Sequence, residues 1–529
     1  MFPEPRRTPI KMDMGINLKV TSSPEQVVLE NITGGTALTI KRQNNGTRIS
    51  TCHSYGVYGI VTISKSSYLI LVVDAIMRGM MYDHVVYEIK DVEIIQLKRE
   101  RMESFKNEMK AVRRFLGNSG VYFSTYPLHK TLAVKKDDDT DFLFNALPLE
   151  KFLKYTGDQG SLFSVSCIQG FFGSVDVGSI CLRLISRRSW RRVGARYFCR
   201  GSNAIGYVSN YVETEQIVYE GEKTTSFLQV RGSIPLIWEH VLGREYNPRI
   251  IISNKKVLHI ADKVMRDKYG DVLYLNLIRN TGYEGMLHCE YEKELLGNNK
   301  KGVHFNFFEE GGIAEESTRE KFLKLIEEDL SLFGYYIFGK PQNGVIRTNC
   351  IDCLDRTNIS QFVIGELMLE KQISHFNVEN KERFYEQLKN LWYNNGNSLS
   401  MQYSGSFALK SHLLSRRKQG VIDRLRDGAI GLHRYFINRL CHGSLQATYE
   451  ILTTDLEGKS ISLYRDSISA IKTLFLILVL TICTASWALT GIFIVSFLLS
   501  TLVISIITIS IVAVFLDFLI QKPKGRRSQ

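Results

Sequence analysis

The sequence predicts an α/β domain that follows a β-rich N-terminal subdomain and precedes a C-terminal transmembrane helical hairpin. Three observations support this fold class. Short runs of Val, Ile and Tyr occur between residues 15 and 98, helical and extended patterns alternate between residues 250 and 345, and residues 473–516 contain no charged side chain. Alternating helices and strands are typical of a central, partly parallel sheet, and long uncharged segments are typical of membrane spans.

Residues 1–180 are predicted to form the β-rich subdomain. Residues 58–64 and 68–73 are apolar runs separated by a short polar segment, which is the pattern of a β-hairpin. In residues 100–116 the apolar side chains recur at helical spacing, and Gly117 provides a stop signal. We expect one packing helix against a sheet in this part of the chain.

Residues 181–452 are predicted to form the α/β domain. Its patterned segments are helical at 256–269 and 321–333 and extended at 271–277, 302–308 and 345–348. In open α/β sheets the functional site lies beyond the carboxyl ends of the strands. The residues directly after 348 are therefore the first candidates for a site.

Residues 345–358 contain a cysteine and an arginine, Cys350 and Arg356, just before an apolar helical run. This places Cys350 on a strand-to-helix turn, where unpaired backbone N–H groups can surround a phosphate and lower the pKa of a thiol. The thiolate can then attack phosphorus, while the guanidinium of Arg356 binds two phosphoryl oxygens. The other residues of this predicted phosphate-binding loop are Ile351, Cys353, Leu354, Thr357 and Asn358, of which Thr357 could donate its hydroxyl to the sulfur.

Three other interpretations of Cys350 and Cys353 stay open from spacing alone. The pair could be half of a zinc site, although we find no second pair of ligands at a suitable spacing. It could be a dithiol redox pair, which would leave Arg356 unexplained. It could also be two buried structural cysteines.

The string Arg-Thr-Asn-Cys-Ile-Asp-Cys-Leu-Asp-Arg-Thr-Asn at residues 347–358 resembles the catalytic signature of the Sac-domain phosphoinositide phosphatases. Segments 196–201, 210–216 and 229–235 resemble further motifs of that family in the same order. The resemblance covers roughly residues 50–450, and it departs from the family at 306–308, where Asn-Phe-Phe stands in place of a frequent Asp-Phe-His.

This resemblance implies dephosphorylation of phosphatidylinositol monophosphates, with phosphatidylinositol 4-phosphate as the expected substrate. It also implies a cysteinyl-phosphate intermediate and no metal or other cofactor. The departing inositol oxygen needs a proton because an alkoxide is a poor leaving group. Asp352 is the first candidate for this general acid and Asp355 the second, although either could instead brace the loop.

Seven arginines occur between residues 183 and 200 without an acidic residue among them. Guanidinium groups suit phosphate, so this stretch predicts contact with phosphate or lipid headgroups through Arg187, Arg188, Arg196 and Arg200. A solvated basic face is the alternative. Glu213 and Glu215 could orient these arginines or form structural salt bridges.

The uncharged segment near the C-terminus contains forty-four residues, which would form a helix of about 66 Å, about twice the hydrocarbon thickness of a bilayer. We therefore predict two transmembrane helices, at 472–488 and 492–516. A juxtamembrane linker at 453–471 precedes them and a basic tail at 517–529 follows them. A buried hairpin in a soluble core is the alternative, but soluble helices show a polar face.

Basic residues flank both predicted spans on the outside of the pair, which predicts that both termini face the cytosol. The resemblance implies an integral protein of the endoplasmic reticulum or Golgi with its catalytic domain on the cytosolic side. The expected partners are phosphoinositide lipids and the bilayer, and oligomeric state is not predicted.

A formal net charge of +13 favours an anionic partner. The sequence contains no recognisable nucleic-acid-binding module, so an acidic lipid surface is the better candidate. The nine cysteines are scattered without the spacing of a disulfide framework, which indicates a reducing compartment. Two other functions remain: a protein-tyrosine or dual-specificity phosphatase, and a catalytically silent phosphoinositide-binding membrane tether.

Overall fold

The computed structural model describes most of the chain up to residue 457. The described residues are 17–42, 49–98, 105–134, 140–241, 248–307, 309–310, 312, 315–415, 420–457 and 505.

Nineteen strands are described, and most are short. In chain order they are β1 (Leu18–Ser22), β2 (Gln26–Asn31), β3 (Thr36–Lys41), β4 (Ser50–Ser54), β5 (Gly56–Ser64), β6 (Ser66–Met81), β7 (His84–Lys98), β8 (Val121–Ser124), β9 (Cys167–Val177), β10 (Ile180–Arg188), β11 (Val212–Glu220), β12 (Lys223–Arg231), β13 (Trp238–Val241), β14 (Arg249–Ile252), β15 (Val272–Asn276), β16 (Gly302–His304), β17 (Tyr336–Ile337), β18 (Val345–Asn349) and β19 (Leu456–Glu457).

Nine α-helices accompany them in the described part of the chain. They are α1 (Lys106–Asn118), α2 (Ala146–Thr156), α3 (Leu258–Tyr269), α4 (Gly282–Gly297), α5 (Glu316–Phe333), α6 (Asp355–Ile373), α7 (Lys381–Ser404), α8 (Val421–Leu440) and α9 (His442–Thr453).

One thirteen-stranded sheet runs through the molecule in the order β16-β15-β18-β12-β11-β10-β9-β8-β7-β6-β5-β19, with β17 paired to β12. Neighbours from β5 to β12 are antiparallel. At the other end, β18 pairs in parallel with both β12 and β15, and β15 pairs in parallel with β16. The predicted partly parallel sheet is therefore confirmed for this end.

The N-terminal part is β-rich, as predicted. Strands β5 and β6 form the expected antiparallel hairpin, but β6 extends eight residues beyond the predicted end at residue 73. A separate four-stranded sheet, β3-β2-β1-β4, stands at the start of the chain. The proposed division at residue 180 falls at the hairpin between β9 and β10, two adjacent strands of the long sheet.

Strand β18 and helix α6 position the predicted loop. All five residues of β18 are buried, which fits a central parallel strand covered on both faces. Helix α6 begins at Asp355, and its buried side includes Phe362, Val363 and Met368. The loop between them holds residues 350–354, so the prediction that Cys350 lies on a strand-to-helix turn is confirmed.

The two predicted transmembrane helices, 472–488 and 492–516, lie outside the described residues apart from Ser505. Among the helices that the structure describes, none combines the length and the apolar character that crossing a bilayer requires.

Candidate active site

A cavity of about 1080 Å³ opens beyond the carboxyl end of β18. Its wall includes Cys350, Ile351, Asp352, Asp355 and Arg356, all from the predicted loop and the start of α6. This is the position expected for the site of an open α/β sheet.

Cys350 lines this cavity, and the residue is only 2% exposed. The backbone N–H of Cys353 donates to Cys350 Sγ at 3.3 Å. Hydrogen bonding from the Cys353 side chain lowers the pKa of Cys350 to about 6, against the opposing effect of burial and with help from the positive charge of Arg356. The thiolate is therefore the favoured form at neutral pH.

Cys353 supports this geometry as a protonated partner. Its backbone φ of +53° is rare for a residue other than glycine, and its thiol donates to the carbonyl of Gly232 at 2.9 Å. Burial and the neighbouring Cys350 sulfur raise the pKa of the Cys353 thiol well above its usual value. The two cysteines thus have opposite protonation preferences although they are three residues apart.

Arg356 is held in place by an acidic residue from another part of the chain. Its Nη1 donates to the carbonyl of Leu277 at 2.9 Å, and Nη1 and Nη2 contact the carboxylate of Glu284 at 3.1 and 3.2 Å. Glu284 lies in the first turn of α4. Because these bonds use the Nη1/Nη2 edge, the guanidinium can offer its Nε/Nη2 edge to a phosphate.

Asp352 is paired with two arginines. Arg196 donates to both of its carboxylate oxygens at 2.9 and 2.7 Å, and Arg200 adds a third bond at 2.6 Å. Burial would raise the pKa of Asp352, but the two guanidinium groups outweigh burial and hold the pKa well below its usual range. Asp352 is therefore ionised, which suits a brace for the loop and not the proton donor expected from the sequence.

Asp355 also has its oxygens occupied. The backbone N–H of Leu409 donates to Oδ1 at 2.6 Å, and Arg434 of α8 donates to Oδ2 at 2.9 Å. Asp355 thus ties the start of α6 to the segment around residue 409. This arrangement agrees with the bracing role that the sequence left open as an alternative.

The structure separates the four arginines that were predicted to bind phosphate. Arg196 and Arg200 line the cavity, although both are committed to Asp352. Arg187 and Arg188 are 1% and 0% exposed, lie on strand β10 and are not part of the cavity wall. The expectation of phosphate contact therefore does not fit these two residues.

Arg187 and Arg188 have different structural partners, because adjacent strand residues point to opposite faces of a sheet. Arg187 contacts Glu215 at 2.6 Å and lies 3.8 Å from Glu213, which agrees with the salt-bridge alternative for both glutamates. Arg188 donates to Gly194 O at 2.9 Å, and its guanidinium lies 5.1 Å from the ring of Tyr449.

Of the remaining predicted loop residues, one lines the cavity and three do not. Ile351 lines the cavity, and its carbonyl accepts from Arg200 at 2.9 Å. Leu354, Thr357 and Asn358 are buried beside the loop and are not part of the cavity wall. The Thr357 hydroxyl makes no hydrogen bond with a described residue, so the expected donation to the sulfur is not observed.

Asn358 instead connects the loop to its supports. Its side-chain amide donates to Trp392 O at 2.9 Å, and its oxygen accepts from Asn395 at 3.1 Å and from Arg231 at 3.3 Å. The pKa of Arg231 falls to about 9 because it is buried, and the nearby sulfurs of Cys353 and Cys350 oppose that fall. Asn358 is therefore a support of the loop.

Sequence reasoning did not find several residues of the cavity wall. Those with polar side chains include Arg279, Glu284, Lys410, His412 and Arg434. They come from separate connections and helices, so their spacing in the chain carries no signal of a shared site.

The sequence of this chain is similar to those of known proteins. Residues 55–320 match the family model described as the SacI homology domain. The chain is 31% identical over 495 residues to the phosphoinositide phosphatase SAC7 of Arabidopsis thaliana, covering 82% of each chain.

Two animal proteins are also similar. The chain is 27% identical over 500 residues to the phosphatidylinositol-3-phosphatase SAC1 of Drosophila melanogaster, covering 83% of this chain and 84% of the other. It is 30% identical over 447 residues to the phosphatidylinositol-3-phosphatase SAC1-B of Danio rerio, covering 75% of each. The chain belongs to the Sac-domain phosphoinositide phosphatase family.

Proposed function

We propose that this protein hydrolyses phosphatidylinositol monophosphates, with phosphatidylinositol 4-phosphate as the main substrate, through a cysteinyl-phosphate intermediate on Cys350. The observation that carries the proposal is the low pKa of the Cys350 thiol on the wall of the cavity that Arg356 shares. The printed names of the similar proteins include phosphoinositide phosphatases and 3-phosphatases. They support the substrate class and make the position of the phosphate on the ring an experimental question.

In the proposed first step the Cys350 thiolate attacks phosphorus and displaces the inositol oxygen. Arg356, oriented by Glu284, binds two of the phosphoryl oxygens, on which negative charge grows in the transition state. The ion pairs of Asp352 with Arg196 and Arg200 hold the loop in register. In the second step water attacks the phosphocysteine and releases inorganic phosphate.

The nucleophile is tested with Cys350→Ser and Cys353→Ser in the full chain, assayed for phosphate release from vesicles. We expect Cys350→Ser to abolish release, because a serine hydroxyl is not ionised at neutral pH. Cys353→Ser should retain measurable release, because a hydroxyl can still donate a hydrogen bond at that position. Equal activity in the wild type and both variants would refute Cys350 as the nucleophile.

The substrate is tested with each phosphatidylinositol monophosphate isomer in vesicles of otherwise identical composition. We expect the fastest release from the 4-phosphate. Faster turnover of a phosphotyrosine peptide than of any inositide would instead favour a protein phosphatase. Inositide binding without any release would favour a silent tether, against which the ionised Cys350 beside Arg356 argues.

We also propose that the protein is anchored in membranes of the endoplasmic reticulum or Golgi by spans 472–488 and 492–516, with its active site in the cytosol. The support is the uncharged sequence and the basic residues that flank it. In the same scheme residues 1–180 form the N-terminal subdomain and residues 181–452 the catalytic subdomain. Protection of residues 472–516 from protease in sealed microsomes, with digestion of the chain before residue 472 and after residue 516, is the expected result.

A further inference from the structure

The proposed reaction needs a proton donor that the catalytic loop does not provide. An inositol alkoxide leaves slowly unless it is protonated as the bond to phosphorus breaks. Asp352 is held ionised by Arg196 and Arg200, and Asp355 accepts from Arg434 and from the backbone of Leu409. The donor therefore has to come from another part of the cavity wall.

Lys410 lies on the wall of the same cavity as Cys350 and Arg356. It belongs to the connection that follows α7, and its backbone φ of +57° is rare for a residue with a side chain. Such strained conformations persist where the surrounding structure enforces them, and they are frequent at functional sites. The backbone of this lysine is thus held in an unfavourable conformation on the wall of the cavity that Cys350 also lines.

Two carboxylates enforce that conformation. The backbone N–H of Lys410 donates to Asp427 at 3.0 Å, and the preceding N–H of Leu409 donates to Asp355 at 2.6 Å. Asp355 is the first residue of α6, so the same side chain connects the catalytic loop to the lysine-bearing segment. The position of Lys410 is therefore coupled to the position of the nucleophilic loop.

The surroundings of the ammonium group favour loss of its proton. Partial burial lowers the pKa of Lys410, and the positive charges of Arg279 and Arg356 lower it further, while Asp355 and Asp427 oppose them. These four groups act on the Lys410 ammonium, and two further titratable residues, Glu284 and His412, line the same cavity. A lysine in such a setting is a stronger acid than one in water.

We propose that Lys410 is the general acid of the reaction, which rests on the proposed function. The bond between Cys350 Sγ and phosphorus forms while the bond from phosphorus to the inositol oxygen breaks. The Lys410 ammonium gives its proton to that oxygen and becomes a neutral amine. In the second step the amine takes a proton from the attacking water as the bond between sulfur and phosphorus breaks, which restores the ammonium and the thiolate.

The test compares Lys410→Met with wild type on two substrates that differ in their leaving groups. With phosphatidylinositol 4-phosphate vesicles we expect kcat to fall by about 10²- to 10⁴-fold, the usual contribution of a general acid. With p-nitrophenyl phosphate, whose phenolate leaves without a proton, we expect a fall of only a few fold. Equal losses on both substrates would overturn the proposal and indicate a binding or structural role.

Lys410→Arg separates proton transfer from simple charge. A guanidinium keeps the positive charge but does not release a proton in this pH range. We therefore expect Lys410→Arg to have the wild-type KM for the inositide and the low kcat of Lys410→Met. Recovery of kcat in Lys410→Arg would assign Lys410 an electrostatic role instead.

Two further measurements keep the test decisive if a Lys410 variant folds poorly. In wild type, kcat/KM for the inositide should decline at high pH, whereas that for p-nitrophenyl phosphate should not, and a shared decline would contradict the proposal. Lys263→Met, on the exposed side of α3, is the matched control and should behave as wild type. Activity retained in Cys350→Ser would refute the proposed function itself, which distinguishes the two failures.

Discussion

Two regions of the molecule use the same residue pair, arginine with a carboxylate, for different purposes. On strands β10 and β11, Arg187 pairs with Glu215 inside the sheet, and both residues are essentially fully buried. At the cavity, Arg196 and Arg200 pair with Asp352 on the catalytic loop. The first region joins neighbouring strands, whereas the second joins a long connection to the loop that holds Cys350.

The difference shows that a high density of arginines does not by itself predict phosphate contact. Arg187 and Arg196 come from one uninterrupted basic stretch. What separates them is that β10 ends at Arg188, so later arginines lie in a connection that can reach across the carboxyl ends of the strands. The secondary structure around each arginine therefore decides its role.

The largest effect we expect is on stability, in the strand region. Arg187→Met leaves Glu215 buried without its cation, and breaking a buried pair in this way costs about 3–5 kcal/mol of unfolding free energy. Urea denaturation followed by tryptophan fluorescence measures this change. The kcat per folded molecule should stay near the wild-type value, since Arg187 does not line the cavity.

Arg114→Met provides a control for Arg187→Met, because Arg114 is an exposed arginine on α1. We expect its unfolding free energy to change by less than about 0.5 kcal/mol. If Arg187→Met instead unfolded at the wild-type urea concentration and lost phosphate release, the contrast between the two regions would break down.

A smaller effect, this time on activity, is expected in the cavity region. Glu284→Gln weakens the carboxylate that holds the Nη1/Nη2 edge of Arg356. Because small errors in the placement of a reacting group are costly, kcat/KM for the inositide should fall by about 10- to 100-fold. Initial rates at substrate concentrations well below KM measure this change directly.

Glu290→Gln is the matched control for Glu284→Gln. Glu290 lies on the same helix and forms an ion pair with Lys293 at 3.5 Å, with both side chains well exposed. Its kcat/KM should equal that of wild type. An increase in kcat/KM for Glu284→Gln would show that Glu284 competes with the phosphate for Arg356 and does not orient it.

The smallest effect we expect is a shift in the pH dependence of the reaction. The reactive form of Cys350 is the thiolate, so kcat/KM should rise with pH through about 6, the pKa of Cys350 in this structure. Cys353→Ala removes the thiol contact that lowers this pKa, so the rising limb should move to higher pH. Phosphate release in fixed-time assays between pH 4.5 and 8 gives this rise in kcat/KM.

Arg187→Met is a control for this pH dependence. Because Arg187 lies in the sheet and does not line the cavity, kcat/KM of this variant should rise at the same pH as in the wild type. Cys353→Ser should shift the limb less than Cys353→Ala, because the hydroxyl keeps a hydrogen-bond donor near the sulfur. An unchanged limb in Cys353→Ala would show that the helix terminus and Arg356 alone set the pKa of Cys350.

The spacing of apolar residues was sufficient to predict several individual strands and helices. The strand before Cys350, the helix after it and the hairpin of β5 and β6 follow from apolar periodicity. The full length of β6 was not predictable in this way. After Val72 the strand is no longer continuously buried, and pairing with β7 maintains it to Met81.

The loop between β18 and α6 was predictable for a different reason: its residues are consecutive, and the resemblance identifies them as a group. Glu284 and Lys410 were not predictable because they lie 72 residues before and 54 residues after Arg356 in the chain. Only the order of strands in the sheet brings these segments together. The roles of Asp352 and Asp355 likewise depend on arginines that are distant from them in the chain.

The continuity of the thirteen-stranded sheet has a consequence for how the chain can be divided. A cut between β9 and β10 would leave two long open edges, each with a row of unpaired backbone N–H and C=O groups. Such edges pair readily with other chains, so each half alone would tend to aggregate. The N-terminal part thus covers a sheet edge that the part bearing Cys350 would otherwise leave open.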